Sequence, residues 1–397
     1  MRLSTHVSSL TPSATLAVDL RAKELAAAGR PIIGFGAGEP DFPTAKFIVN
    51  AAVEAARDPR NHHYTAAAGL AELREAIAAK ALKDSGTNVD PTNVIVTNGG
   101  KQAVYQAFMA TVSPGDDVLL PAPYWTTYPE AIRLAGGNPI EVFAPADAGY
   151  KVTVDQLEAA YTSRTTTLLM CSPSNPTGAV YTADELHAIG QWAIAKDLWV
   201  ISDEIYENLV YEGEMAYLLR VVPELADRLI TVNGVAKSYA MTGWRVGWMF
   251  GPAEVIRGAR ILQGHLSSHV NNIAQRAALA ALNADQHFVS EMKVAFNRRR
   301  LALVEALEQI DAFSVPTPSG AFYVFANVER ALGQEINGKV ATTSAQLADL
   351  ILEEADVALV PGEAFGAPGH LRLSYALADD ALAEGAQRLV QLFSQVK

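Results

Sequence analysis

The segment 232–247, VNGVAKSYAMTGWRVG, closes an apolar run at 229–232 and leaves Lys237 on a polar turn, with Arg245 eight positions on. An amine held off a strand end, with a guanidinium close behind it, suits one chemistry. The amine forms a Schiff base with a carbonyl cofactor, and the guanidinium binds that cofactor's phosphate. The pair alone does not decide the matter, because Lys237 reads equally as a surface lysine.

Two upstream segments enlarge the set. The run 198–206, LWVISDEIY, is apolar until it ends in Asp203 and Glu204, with Tyr206 three places after Asp203. A carboxylate at the carboxyl end of a buried strand is costly unless it meets a cation. A protonated pyridine nitrogen is such a cation; the competing reading of Asp203 is a helix cap. The run 166–178, TTLLMCSPSNPTG, ends in a proline-rich turn with Asn175 at its tip. Asn175, Asp203, Tyr206, Lys237 and Arg245 on consecutive strand-end loops are the parts needed to hold pyridoxal 5′-phosphate. On these residues the chain resembles the class I aminotransferases, built on fold type I of the pyridoxal-phosphate enzymes, from Ser13 nearly to the last residue. The resemblance is closest to the bacterial aspartate aminotransferase branch whose lid carries Pro-Ser-Ala-Thr, here Pro12 to Thr15.

The resemblance implies a role for each residue. Lys237 carries the cofactor and then moves the substrate proton, Asp203 pairs with the pyridinium nitrogen, and Tyr206 and Asn175 hydrogen-bond the ring's phenolate oxygen. Strand 94–97 leads into Asn98-Gly99-Gly100-Lys101-Gln102 and then a helix, so backbone N–H groups meet a phosphate at the positive end of the helix dipole. The family places the phosphate on the amides matching Gly100, Lys101 and Gln102, completed by Arg245. Many relatives carry a serine three places before the lysine, where this chain has Gly234. Trp125 matches the aromatic that stacks on the pyridine ring, the alternative being a core tryptophan. Tyr64 matches a tyrosine that reaches the neighbouring subunit's phosphate, which implies a homodimer with shared active sites. Arg372, in the apolar strand HLRLSY, needs an anion if buried; the family uses it for the substrate α-carboxylate, with the Gly38 backbone alongside. In the resembled branch Lys101 receives the distal carboxylate under a lid bearing Ser13 and Thr15, unless Lys101 simply faces solvent. Prephenate-active members carry a lysine immediately before the Pro-Ser pair, where this chain has Thr11.

These residues need elements to hold them. Apolar runs at 94–97, 117–120, 139–143, 166–171, 198–202, 229–232 and 247–250 alternate with helical patterns at 70–83, 102–112, 183–196 and 254–261. Seven such strands imply an α/β fold, a mostly parallel sheet covered on both faces, with ligands at the strands' carboxyl ends. The pattern then changes to a long helix at 285–309 whose basic run Arg298–Arg300 reads as a solvated face. Hairpin-like strands at 313–328, a helix at 344–354, strands near 357–360 and 370–374 and a last helix from 379 follow. Residues 44–284 thus form a large cofactor-binding domain. Residues 1–43, with a strand at 31–36 and a helix at 15–28 capped by Ser13 or Thr15, join 285–397 in a smaller α+β domain.

Bulk properties narrow the function classes. In 397 residues half are apolar and 19% charged, and the net charge is −12. No nucleic-acid partner and no membrane association are expected. The single cysteine, Cys171, excludes an internal disulfide, fits a reducing cytoplasm, and reads as packing rather than nucleophile. Arg2 and the scarcity of acids before Asp19 hint at a transit peptide, but the resemblance begins at Ser13, so the segment is taken as mature protein. GFGAG at 34–38 fails as a dinucleotide fingerprint, since prolines follow where a helix should start. His265 and His269 lack an acidic partner, so no metal site is expected. The expected enzyme is a dimeric cytoplasmic aminotransferase passing an amino group between aspartate or glutamate and 2-oxoglutarate or oxaloacetate. Alternatives are a prephenate, aromatic or alanine specificity, or a C–S lyase or cyclopropane-forming synthase on the same fold. A non-catalytic cofactor sensor would need a DNA-binding helix-turn-helix, which no segment before the fold supplies.

Overall fold

The computed structural model describes residues 3–8, 10–394 and 396; Arg2 lies outside them. Its centre is a seven-stranded sheet in the order Val94–Thr97, Gly247–Phe250, Leu229–Gly234, Trp199–Asp203, Thr165–Cys171, Asp117–Ala122 and Asn138–Phe143. All seven strands foreseen are present, and six run parallel. Gly247–Phe250 is antiparallel to both neighbours, with Gly247 opposite Gly234 on one side and Thr97 on the other. Successive residues along each strand serve opposite faces. Ile95, Leu169, Ile201, Ile230 and Met249 pack with helices Gly100–Thr111 and Ala253–Leu266. Val94, Val96 and Trp248 meet helices Lys46–Arg57, Ala71–Ser85 and Asn272–Asn283, and Leu168, Met170 and Val200 meet Ala183–Ala195. Burial on both sides explains why these strands read as continuous apolar runs.

The remaining segments build a second core. Strand Ile33–Gly34 pairs in parallel with Val357–Ala358, and an antiparallel sheet runs Val360–Pro361, His370–Ser374, Tyr323–Asn327. Helices His287–Leu307, Ser344–Ala355 and Asp379–Phe393 cover them. Three expectations are corrected. Residues 313–328 form one strand, Tyr323–Asn327, not a hairpin, because the backbone before it makes only single bridges, Ser314 to Asn327 and Val210 to Gly320. The Arg298–Arg300 run is not a solvated face. Arg298 is exposed, but Arg299 and Arg300 are buried, and buried guanidinium groups demand anions. Arg299 binds Asp41 at 2.8 Å and Asp379 at 2.7 Å, and Arg300 binds Glu212 at 2.7 Å. Finally, Ser13 precedes helix Ala14–Ala27 but caps no amide, its hydroxyl lying 3.0 Å from that of Thr15. Among the described residues no helix is long and apolar enough to cross a membrane.

Candidate active site

Strand ends of the large sheet, with loop 36–39, helix Ala14–Ala27 and the strand residues Tyr323 and Arg372, line a cavity of about 410 Å³, within the range of small-molecule sites. Ser13, Thr15, Gly38, Gly100, Lys101, Trp125, Asn175, Asp203, Tyr206, Lys237, Arg245 and Arg372 all line it. Two residues singled out from sequence do not. Gln102 borders the adjoining cavity and accepts the Asn98 N–H at 2.6 Å. Tyr64 is 90% exposed, its ring set edge-on to His269.

Lys237 follows the end of strand Leu229–Gly234, and its amine donates to the carbonyl of Gly38. Burial, then the charges of Arg372 and Arg245, pull that amine down to about 8, so a neutral nucleophile is accessible near physiological pH. Asp203 closes strand Trp199–Asp203 and is buried. Its Oδ2 accepts from the Tyr128 hydroxyl at 2.8 Å and its Oδ1 from the Ile205 amide at 3.2 Å. Burial still pushes its carboxyl up to about 6, outweighing these two hydrogen bonds and the charge of Lys237. Cys171, ending the neighbouring strand, is driven to about 12 by burial and by Asp203, which leaves it a thiol.

The glycine turn fits a phosphate by shape. Gly99 has φ 85° and ψ 165°, a glycine conformation, and a Cβ there would stand 2.5 Å from Nη2 of Arg245. The guanidinium therefore lies flush against the turn, donating to the carbonyls of Thr242 at 2.9 Å and Asn98 at 3.3 Å. A Cβ on Gly247 would meet the Gly100 nitrogen at 2.5 Å, and one on Gly234 would meet the Gly247 Cα at 3.0 Å. A side chain at Gly234 would require the facing backbone to give way by a few tenths of an ångström.

On the opposite wall Arg372 is 1% exposed. It donates to Asn175 Oδ1 at 3.0 Å and to the Gly36 carbonyl at 2.8 Å, and its Nε has no hydrogen-bond partner among the described residues. With Oδ1 occupied, Asn175 offers its amide NH2 to a ligand. Lys101 is exposed at the mouth, its amine 5.1 Å from the Trp125 ring centre. Tyr128 and Tyr323 are buried members of this site that pattern reading missed; aromatics on apolar elements look like core, and no local signal distinguishes them.

The set fits pyridoxal 5′-phosphate. A buried carboxyl has no ion-pair partner among the described residues, a glycine turn lies against an arginine, and a lysine amine of lowered pKa lines the same cavity. An α/β sheet bearing such a site at its strand ends defines a pyridoxal-phosphate-dependent transferase. Residues 30–389 match the family model described as aminotransferase class I and II. The aspartate aminotransferase of Streptomyces avermitilis is 59% identical over 397 residues, covering 100% of this chain and 97% of the relative. The aspartate/prephenate aminotransferase of Cereibacter sphaeroides is 44% identical over 98% of this chain and 97% of its own. The solved structure of the Thermus thermophilus aspartate aminotransferase with maleate superposes with a TM-score of 0.93 at 40% identity, covering 99% of this chain and 100% of that one. The chain belongs to the class I and II aminotransferases.

Proposed function

We propose that the enzyme passes an amino group between L-aspartate or L-glutamate and 2-oxoglutarate or oxaloacetate in a ping-pong cycle. One observation carries the reading: Arg372 is buried without a carboxylate partner among the described residues, and Lys101 lies in the same cavity. Two cations in one cavity match an amino acid with two carboxylates. The names of the relatives agree with that substrate class.

Bound pyridoxal phosphate supplies an aldehyde to carry the amino group and a ring that takes up the electrons left at Cα. The protein's residues do the rest. Arg372 and the Gly38 backbone hold the α-carboxylate, while Lys101 holds the distal carboxylate with Ser13 and Thr15 closing over it. The neutral Lys237 amine takes the proton from the substrate Cα. Asp203 would hold a proton on the pyridine nitrogen, Tyr206 and Asn175 would donate to the phenolate oxygen, and Trp125 would pack against the ring. The backbone amides of Gly100, Lys101 and Gln102, with the Arg245 guanidinium, would bind the phosphate. Residues 44–284 act as the cofactor-binding domain, and 1–43 with 285–397 as a smaller domain that closes on substrate and excludes water. The exposed Tyr64 belongs to a homodimer, reaching the partner's phosphate. The enzyme works in the cytoplasm.

A prephenate specificity is the second reading, supported by the name of the Cereibacter relative. Thr11 disfavours it: it brings no cation, and its amide lies 3.3 Å from the Glu130 carboxylate. The test is a half-reaction without acceptor, mixing holoenzyme separately with aspartate, alanine and the amino acid derived from prephenate. Rapid loss of the cofactor's visible absorbance with aspartate alone is expected. An equal response to alanine removes the dicarboxylate assignment, and one to the prephenate-derived amino acid restores the second reading.

A further inference from the structure

Tyr323 touches three members of the site. It opens strand Tyr323–Asn327, is buried, and has its hydroxyl 2.8 Å from that of Tyr206. The guanidinium carbon of Arg372 lies 4.5 Å from its ring centre, and a Cβ on Gly38 would lie 3.3 Å from its hydroxyl. We infer that Tyr323 is a positioning residue whose hydroxyl donates to Tyr206, freeing the Tyr206 hydrogen for the cofactor's phenolate oxygen, while its ring supports Arg372. The inference rests on the roles proposed above for Tyr206 and Arg372.

The reasoning is one of hydrogen counting. Each phenol carries one hydrogen, and only one of the two can lie between the oxygens. Neither hydroxyl has another hydrogen-bond partner among the described residues, and both residues line the cavity. Burial raises both phenols above their ordinary range, so both keep their hydrogens at neutral pH. An anionic oxygen placed beside Tyr206 selects the arrangement in which Tyr323 donates inward and Tyr206 donates to the ligand. Each bond then polarises the next and strengthens it. The ring of Tyr323 beneath Arg372 offers a cation–π face that keeps the guanidinium plane fixed without neutralising its charge. The ring centre of Phe365 stands 5.0 Å from the same guanidinium carbon, so aromatic rings rather than carboxylates support the arginine and its charge stays available to a carboxylate.

The experiment is a pH titration of the holoenzyme's visible absorbance in wild type, Tyr206→Phe, Tyr323→Phe and the double variant, with maleate affinity measured alongside. Tyr206→Phe should raise the spectroscopic pKa most. Tyr323→Phe should raise it by on the order of half a unit with unchanged maleate affinity, because the ring remains. The double variant should match Tyr206→Phe alone. Tyr323→Leu should weaken maleate binding by roughly tenfold. A normal pKa in Tyr323→Phe beside a shifted Tyr206→Phe overturns the inference, as does full additivity in the double variant. Unchanged maleate affinity in Tyr323→Leu removes the ring's support of Arg372. No shift in Tyr206→Phe overturns the role of Tyr206 itself, and the inference with it.

Discussion

Two adjacent glycines make opposite predictions. Gly99 sits at φ 85° and ψ 165°, where an L side chain is strained, and its Cβ would stand 2.5 Å from the Arg245 guanidinium. Gly100 begins the following helix, and a Cβ there would meet nothing nearer than Ile205 Cδ1 at 3.8 Å. Backbone strain of this kind costs about 1–3 kcal/mol, which corresponds to roughly 5- to 150-fold in an equilibrium constant. Arg245 must also leave its seat, so the loss in Gly99→Ala should fall in the upper part of that range. Gly100→Ala should bind cofactor within about twofold of wild type, since alanine in a helix costs nothing relative to glycine. The assay is titration of cofactor-free enzyme with pyridoxal phosphate, followed by absorbance, beside thermal melting of the same samples without cofactor. The reasoning is refuted if Gly99→Ala binds as tightly as wild type, or if Gly100→Ala loses as much.

Lys101→Ala should raise KM about 10- to 100-fold for aspartate and glutamate, the worth of a hydrogen bond to a charged group, and leave alanine turnover unchanged; a uniform loss across substrates refutes its role. Asp203 titrates at about 6 against an ordinary 3.8, chiefly through burial. The folded state thus holds that proton more tightly than the unfolded state, and the wild type loses stability as pH rises from about 4 to about 6. Cofactor-free Asp203→Asn should therefore gain on the order of 3 kcal/mol over wild type above about pH 6 and nothing below about pH 4, read by urea unfolding across that window. Arg299→Ala removes the cation paired with Asp41 and one of the two paired with Asp379, both carboxylates being part-exposed, so it should lower stability by about 1.5–3 kcal/mol. A melting temperature equal to wild type would contradict that pairing.

What could be read from the sequence depended on whether the signal was local. Asp203 stands out because it ends an apolar run abruptly, where a charge needs a reason, and Lys237 because it follows a strand end with Arg245 close behind it. The sheet was legible for the same cause: strands buried on both faces are unbroken apolar runs. Tyr128 and Tyr323 escaped because an aromatic among apolar neighbours is also what a core contains, and only Asp203 and Tyr206, remote in sequence, give their hydroxyls a purpose. Arg299 and Arg300 were misread because their partners, Asp41, Glu212 and Asp379, lie far away along the chain. Residues 313–328 carried strand-like composition but no neighbour to complete a hairpin.

The polarity of a single strand has a consequence for how this site can change. Two parallel neighbours must be joined by a long crossover, whereas antiparallel neighbours need only a short reversal. Because Gly247–Phe250 opposes Leu229–Gly234, the connection at 235–246 returns directly and delivers both the amine of Lys237 and the guanidinium of Arg245 from one piece of chain. An inserted or deleted residue between them alters the span from reactive carbon to phosphate. With the roles proposed for Lys237 and Arg245, the length of this loop is set by the dimensions of a small molecule, while the helical crossovers elsewhere in the sheet answer only to their packing.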